Sequence, residues 1–195
     1  MKKVLSLIAF FSLFAVGVYA QGVSGGLKLG LNLANQTISG NGFTTSPSFR
    51  PALHAGGYLT LMLSGKLGVQ PEILYSGQGA KNGDYKLKVN YIAVPVLVRY
   101  NISDRFSLHA GPQIGILASA KAKMGSESED VKDSFKGTDI GIAAGLAVDL
   151  PMGLNFGFRF VKGMTNIIDD SDGSDDIKYK NYNLQFSVGY KLFGK

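Results

Sequence analysis

The chain contains no cysteine and only two histidines in 195 residues. Without cysteine, a protein sent to an oxidising space must be held by something other than cross-links, such as a large core or a closed hydrogen-bonded barrel. A clustered basic face is also missing. Lys and Arg total 20 against 14 Asp and Glu, but the bases are scattered along the chain. Nine of the acids, by contrast, sit in two short stretches: Glu127, Glu129, Asp130 and Asp133, then Asp169, Asp170, Asp172, Asp175 and Asp176. Scattered bases argue against nucleic acid as a partner.

The N-terminus carries the pattern of an export leader. Lys2 and Lys3 precede an apolar stretch from Val4 to Val18, and Val18-Tyr19-Ala20 offers small residues at the two recognition positions of a cleavage site. The stretch is short for a membrane helix, and Gln21-Gly22 is a poor stop-transfer flank. No cysteine stands at the site, which excludes a lipid-anchored lipoprotein. Residues 1–20 are therefore read as a cleaved signal peptide and 21–195 as one domain. Losing Lys2 and Lys3 lowers the formal charge from +6 to +4.

From residue 24 onward the dominant signal is a period of two, the spacing of a strand with unlike faces. Leu27, Leu29, Leu31 and Leu33 alternate with Lys28, Gly30, Asn32 and Ala34. Similar runs follow around 53–63, 67–76, 91–100, 106–116, 139–149, 154–160 and 182–192, which makes eight. The connections 64–66, 101–105 and 150–153 are tight, whereas 36–51, 79–87, 121–138 and 166–180 read as long polar loops. Short turns at one end and long loops at the other, on strands of about twelve residues, describe an eight-stranded antiparallel up-and-down transmembrane β-barrel.

A soluble lipocalin-like binder would share the eight alternating strands but turn its apolar face inward. Here the more polar face is padded with small residues, among them Gly30, Gly56, Gly111, Gly141, Ala143, Gly145 and Gly157, which suits a cramped lumen. The other face carries Leu, Ile and Val, with Tyr100, Phe106, Phe156, Tyr190 and Phe193 near the short-turn end, as at a membrane interface. The apolar face is accordingly assigned to lipid.

Several phrases carry a family resemblance. Leu67-Gly68-Val69-Gln70-Pro71-Glu72-Ile73-Leu74-Tyr75-Ser76, Asn90-Tyr91-Ile92-Ala93-Val94-Pro95-Val96-Leu97-Val98-Arg99-Tyr100, Gly111-Pro112-Gln113-Ile114-Gly115 and Lys162-Gly163-Met164-Thr165-Asn166-Ile167 resemble the PorT-like outer-membrane β-barrels of Bacteroidetes-type bacteria. The chain departs from that pattern at Ala93, where the family usually has an acid. The resemblance implies a bacterial outer-membrane location. Through the founding relative it also implies an accessory part in secretion of surface proteins.

No residues assemble into a recognisable catalytic or cofactor motif, and neither an enzyme nor a cofactor is expected. His54 and His109 both face inward, at opposite ends of the lumen by count along their strands, so about 20 Å should separate them and forbid a shared site. The run Asp169, Asp170, Asp172, Asp175 and Asp176 is a weak candidate for a divalent cation. It fails the EF-hand template, because Ile168 and Tyr179 fall where ligands are required, and a solvated acidic loop describes it better. Six charged residues, Lys28, Glu72, Arg99, Asp149, Arg159 and Lys191, point inward near the short turns and are read as a polar network filling the interior. Glu72 and Arg159 lie about five residues above a short-turn end and can pair. The partners implied are outer-membrane lipid together with lipopolysaccharide or a surface or secretion protein. Two functions stay open: a structural or surface-interaction barrel, and an accessory barrel for transport or secretion.

Overall fold

The computed structural model describes residues 22–40, 42–169 and 177–194; the leader lies outside them. Ten strands form one antiparallel sheet: β1 (Gly22–Gly40), β2 (Phe43–Thr45), β3 (Arg50–Met62), β4 (Leu67–Asn82), β5 (Tyr85–Asn101), β6 (Phe106–Met124), β7 (Glu127–Asp130), β8 (Thr138–Asp149), β9 (Leu154–Gly163) and β10 (Lys178–Phe193). Eight of them follow one another around a barrel, and β2 and β7 are short additions on β1 and β6. The last strand pairs with the first from Gly25↔Phe193 to Ser39↔Lys178, so the wall has no open edge in the hydrocarbon.

The pairings fix the dimensions of the barrel. Starting at Met62 and stepping across neighbours leads to Gly68, Arg99, His109, Gly145, Arg159, Gln185, Asn32 and finally Ala52. The path returns to β3 ten residues from its start. A shear of ten on eight strands gives a tilt of about 41° and a backbone radius of about 8 Å at the usual strand spacings. Gly145 lies on this path, where β8 presses on β9 so closely that a Cβ would collide with the carbonyl oxygen of Phe158.

The faces have the polarity assigned to them from sequence. Ile73 is 62% exposed while its neighbour Glu72 is 1% exposed. Leu27, Leu29 and Leu31 are exposed between buried Lys28 and Asn32, and Tyr100, Phe106, Phe156, Tyr190 and Phe193 ring the short-turn end. An apolar outside and a polar inside invert the lipocalin arrangement, so the soluble-binder alternative falls away.

The long-loop end differs from expectation. Strands β1 and β6 reach 19 residues each, well beyond the hydrocarbon. The expected loop 79–87 is almost entirely paired. β4 and β5 continue to Asn82↔Tyr85 and turn through Gly83, whose φ is +56°. Within 36–51, β1 folds back as β2, and within 121–138, β6 folds back as β7. Above the membrane the outer face meets water and the inner face packs on apolar side chains, so alternation persists with its polarity reversed, as in Lys86-Leu87-Lys88-Val89, and reads in the sequence as a polar loop. At the opposite end, the turn Pro151–Gly153 holds Met152 at φ +72°.

Apolar packing inside the barrel is concentrated at the outer mouth. Val89, Tyr91, Leu117 and Ala120 point inward from β5 and β6 and bury Phe135 and Ile167 against themselves. These two arrive from different loops, joined by the Phe135↔Ile168 bridge and by Lys136 N–H donating to the Ile167 carbonyl at 2.8 Å. Their meeting forms an apolar cap.

Candidate functional site

The inward charges of β1, β4, β5, β8 and β9 converge in the half of the lumen nearer the short turns. Glu72 is the centre. Its Oε1 accepts from Lys28 Nζ at 2.7 Å, from an Arg159 terminal nitrogen at 2.8 Å and from Gln70 Nε2 at 2.6 Å. Its Oε2 accepts from the other Arg159 terminal nitrogen at 2.8 Å, a bidentate pairing. Lys28 also lies 5.5 Å from the centre of the Tyr58 ring.

A second pair joins Arg99 to Asp149. Arg99 also donates to Asn101 Oδ1 at 2.9 Å and to Gln70 Oε1 at 3.3 Å, while Asn155 donates to Asp149 at 2.7 Å. Gln70, which accepts from Thr60 as well at 3.1 Å, thereby links the two ion pairs into one network. Five of the six charged residues picked out from sequence meet in this way. Lys191 does not: it is half-buried beside them with no side-chain partner among the described residues. Gln70, Thr60, Asn101 and Asn155 were not picked out, although alternation puts Gln70 and Asn155 on the inner face. An uncharged amide gives no sign in the sequence that it will bridge two ion pairs.

Two further polar layers lie above. Asn32 donates to Ser76 Oγ at 3.0 Å and to the Gly77 carbonyl at 2.8 Å, so its oxygen is left to accept from His54 Nδ1 at 2.7 Å. Nearer the mouth, Asp139 accepts from Thr165 at 2.7 Å and from Asn181 at 2.9 Å, and Gln36 donates to Asn181 at 3.1 Å. The apolar cap closes over this layer.

The histidine separation inferred from sequence requires correction. His54 and His109 line one internal cavity together with Lys28, Asn155, Arg159 and Gln185. Counting residues from each strand end treats all ends as level. A shear of ten staggers them, and the height difference between the two residues falls to about 10 Å. The cavity measures about 10 Å³ as traced by a water's centre, room for about one water. Ser107 Oγ stands 3.1 Å from Nε2 of the cavity-lining His109. Of the acidic run, Asp169 is exposed, and Asp170, Asp172, Asp175 and Asp176 lie outside the described residues.

The exterior holds a cluster that the sequence hides. Lys81 stands directly opposite Lys86, Lys86 opposite Lys123, and Lys88 opposite Lys121. Bases that look scattered along the chain are gathered by pairing onto one face of β4, β5 and β6, which corrects the reading that no basic face forms.

A family model for the outer membrane protein beta-barrel domain matches residues 6–191. No curated protein sequence matches the chain. Among solved structures, Neisserial surface protein A is similar at 9% identity, with 85% of this chain and 97% of that one covered and a TM-score of 0.54. The attachment invasion locus protein Ail of Yersinia pestis is 16% identical over 87% of this chain and 98% of its own, with a TM-score of 0.49. The N-terminal β-barrel domain of Pseudomonas aeruginosa OprF is 10% identical over 88% and 100%, with a TM-score of 0.41. At such identities the likeness concerns the fold alone.

Proposed function

Because this chain belongs to the outer membrane protein β-barrel domain family, we propose that it acts in the outer membrane as a closed, non-catalytic barrel whose working surface is the rim beyond the membrane. The observation that carries this reading is that the lumen is blocked twice. The Glu72 network spans it near the short turns, and Phe135 and Ile167 fill its outer mouth. Neither solute passage nor substrate entry fits an interior of that kind, whereas paired extensions such as β4–β5 and β6–β7 give the rim a defined shape.

Planar-bilayer recording of the purified, folded protein tests the closed interior. We expect no stable large-conductance openings, and such openings would refute the reading. The leader inferred at 1–20 predicts a mature N-terminus at Gln21 and recovery with the outer membrane, with gel mobility that changes on boiling. Recovery in the soluble periplasm would sink the membrane assignment.

The PorT-like phrases support a second role, as an accessory barrel for transport or protein secretion. Cross-linking in native membranes followed by capture separates the two. Secretion components among the captured proteins favour the accessory role; surface molecules favour the first.

A further inference from the structure

We propose that the lysine ladder formed by Lys81, Lys86, Lys88, Lys121 and Lys123 is a binding site for the phosphate groups of an outer-leaflet glycolipid of the lipid A class. The proposal rests on the barrel spanning the outer membrane, and it adds a specific ligand chemistry at a specific place on the wall.

Like charges directly opposite one another across a sheet destabilise it, yet here the pairs Lys81↔Lys86, Lys86↔Lys123 and Lys88↔Lys121 lie side by side on three adjacent strands. None of the five forms an ion pair among the described residues. Asp130 stands opposite Lys121 in the register of β7, and Asp84 sits in the adjoining turn, but neither carboxylate lies within ion-pair distance of a ladder lysine. Five lysines outnumber the carboxylates of Asp84 and Asp130 beside them, and the excess positive charge is matched by a polyanion supplied from outside.

Leu87, Val89 and Ala120 turn inward to the cap, so their neighbours Lys86, Lys88 and Lys121 turn outward. That outward face is the one which, lower on the same strands, carries the exposed Tyr75, Ile92 and Ile116. The ladder therefore looks sideways along the membrane rather than up into the medium. Directly beneath it, Asn90 donates to Ser119 at 3.0 Å, a polar step between lipid-facing and basic residues.

Lys88 lies four residues and Lys86 six residues above Ile92, the last apolar outward residue of β5. At a tilt of about 41° this puts them about 10 and 15 Å above the edge of the apolar band. The headgroup layer is about 5–8 Å deep, so the lower rung, Lys88 with Lys121, stands just above it and reaches down into it along flexible stems, while the upper rung, Lys86 with Lys123, stands clear of it. Sideways orientation, with the lower rung bending down to the headgroups, selects a lipid phosphate over a soluble polyanion.

The test uses the full mature protein folded in detergent micelles, with native mass spectrometry counting lipid bound. Probes are bisphosphorylated lipid A and its fully dephosphorylated counterpart. Gel mobility before and after boiling reports separately whether each variant is a folded barrel, so failure of the membrane reading and failure of this one are distinguishable. The wild type should retain the bisphosphorylated form at least tenfold better than the dephosphorylated form. The combined variant Lys86→Gln, Lys88→Gln, Lys121→Gln, Lys123→Gln should lose that preference while remaining folded. Neutralising the outward Lys162, Lys178 and Lys180 instead should leave it in place. Equal retention of the two lipids by the wild type, or undiminished preference in the ladder variant, overturns the proposal. So does displacement of the lipid by an equimolar polysulfated sugar, which would assign the ladder to a soluble glycan.

Discussion

Replacing Glu72 with Gln removes the single carboxylate that compensates Lys28 and Arg159 in the lumen. Glu72 is 1% exposed and accepts four hydrogen bonds, three on Oε1 and one on Oε2. A Gln keeps one acceptor oxygen and turns its NH2 toward donors on Arg159 or Lys28, leaving two buried cations without a counter-charge. Stranding a buried charge by removing its partner costs about 3–5 kcal/mol, and with two cations affected the upper part of that range is expected. The chain has no tryptophan, so unfolding is followed in urea by far-ultraviolet circular dichroism and by the folded band on unboiled gels. Glu127→Gln, on the exposed strand β7, is the control and should move the midpoint little. The triple variant Glu72→Gln, Lys28→Met, Arg159→Met should recover part of the loss, because no charge is left behind. Equal midpoints for Glu72→Gln and Glu127→Gln would refute the network as a source of stability.

Two further substitutions probe the wall and a turn. Phe158→Arg, on the lipid face 5.1 Å from the Phe186 ring, should cost about 2–4 kcal/mol in a bilayer refolding titration; tolerance equal to that of Arg at Glu127 would show that the face is misassigned. Met152→Asn should raise stability by about 0.5–1 kcal/mol in urea, since Asn accepts the left-handed backbone that Met152 is forced into. An unchanged or lowered midpoint would remove strain from that turn.

What could be read from sequence and what could not divide along the membrane boundary. Within the hydrocarbon, lipid outside and a crowded lumen inside force every second residue to differ from its neighbours, so Ile73 and Glu72 could be assigned to their faces by parity. Beyond it the polarity reverses, so Lys86-Leu87-Lys88-Val89 alternates with its polar residues outside and reads as a loop, while the short return of β6 as β7 carries no apolar residue to mark a face. The Gly83-Asp84 pair, with Gly first, was the available sign of a tight two-residue hairpin. Depth in the lumen was legible for Glu72 and Arg159, each counted from a short turn, and they meet. It failed for His54 and His109, because stagger is a property of the closed sheet and is not written in any one strand. Lys191 shares the inner face with Lys28 yet stays apart from the network. Alternation tells which side a residue faces but not which neighbour its side chain reaches.

The apolar cap also bears on how the rim would meet a partner. Loops that order only on contact lose conformational entropy in binding, about 0.5–1.5 kcal/mol for each flexible side chain immobilised. With Phe135 and Ile167 anchored among Val89, Tyr91, Leu117 and Ala120, residues 131–136 and 164–169 are held before any encounter. Association at this rim would then proceed as docking of two shaped surfaces. Its specificity would be set by which side chains line the outer surface of a platform that has already folded.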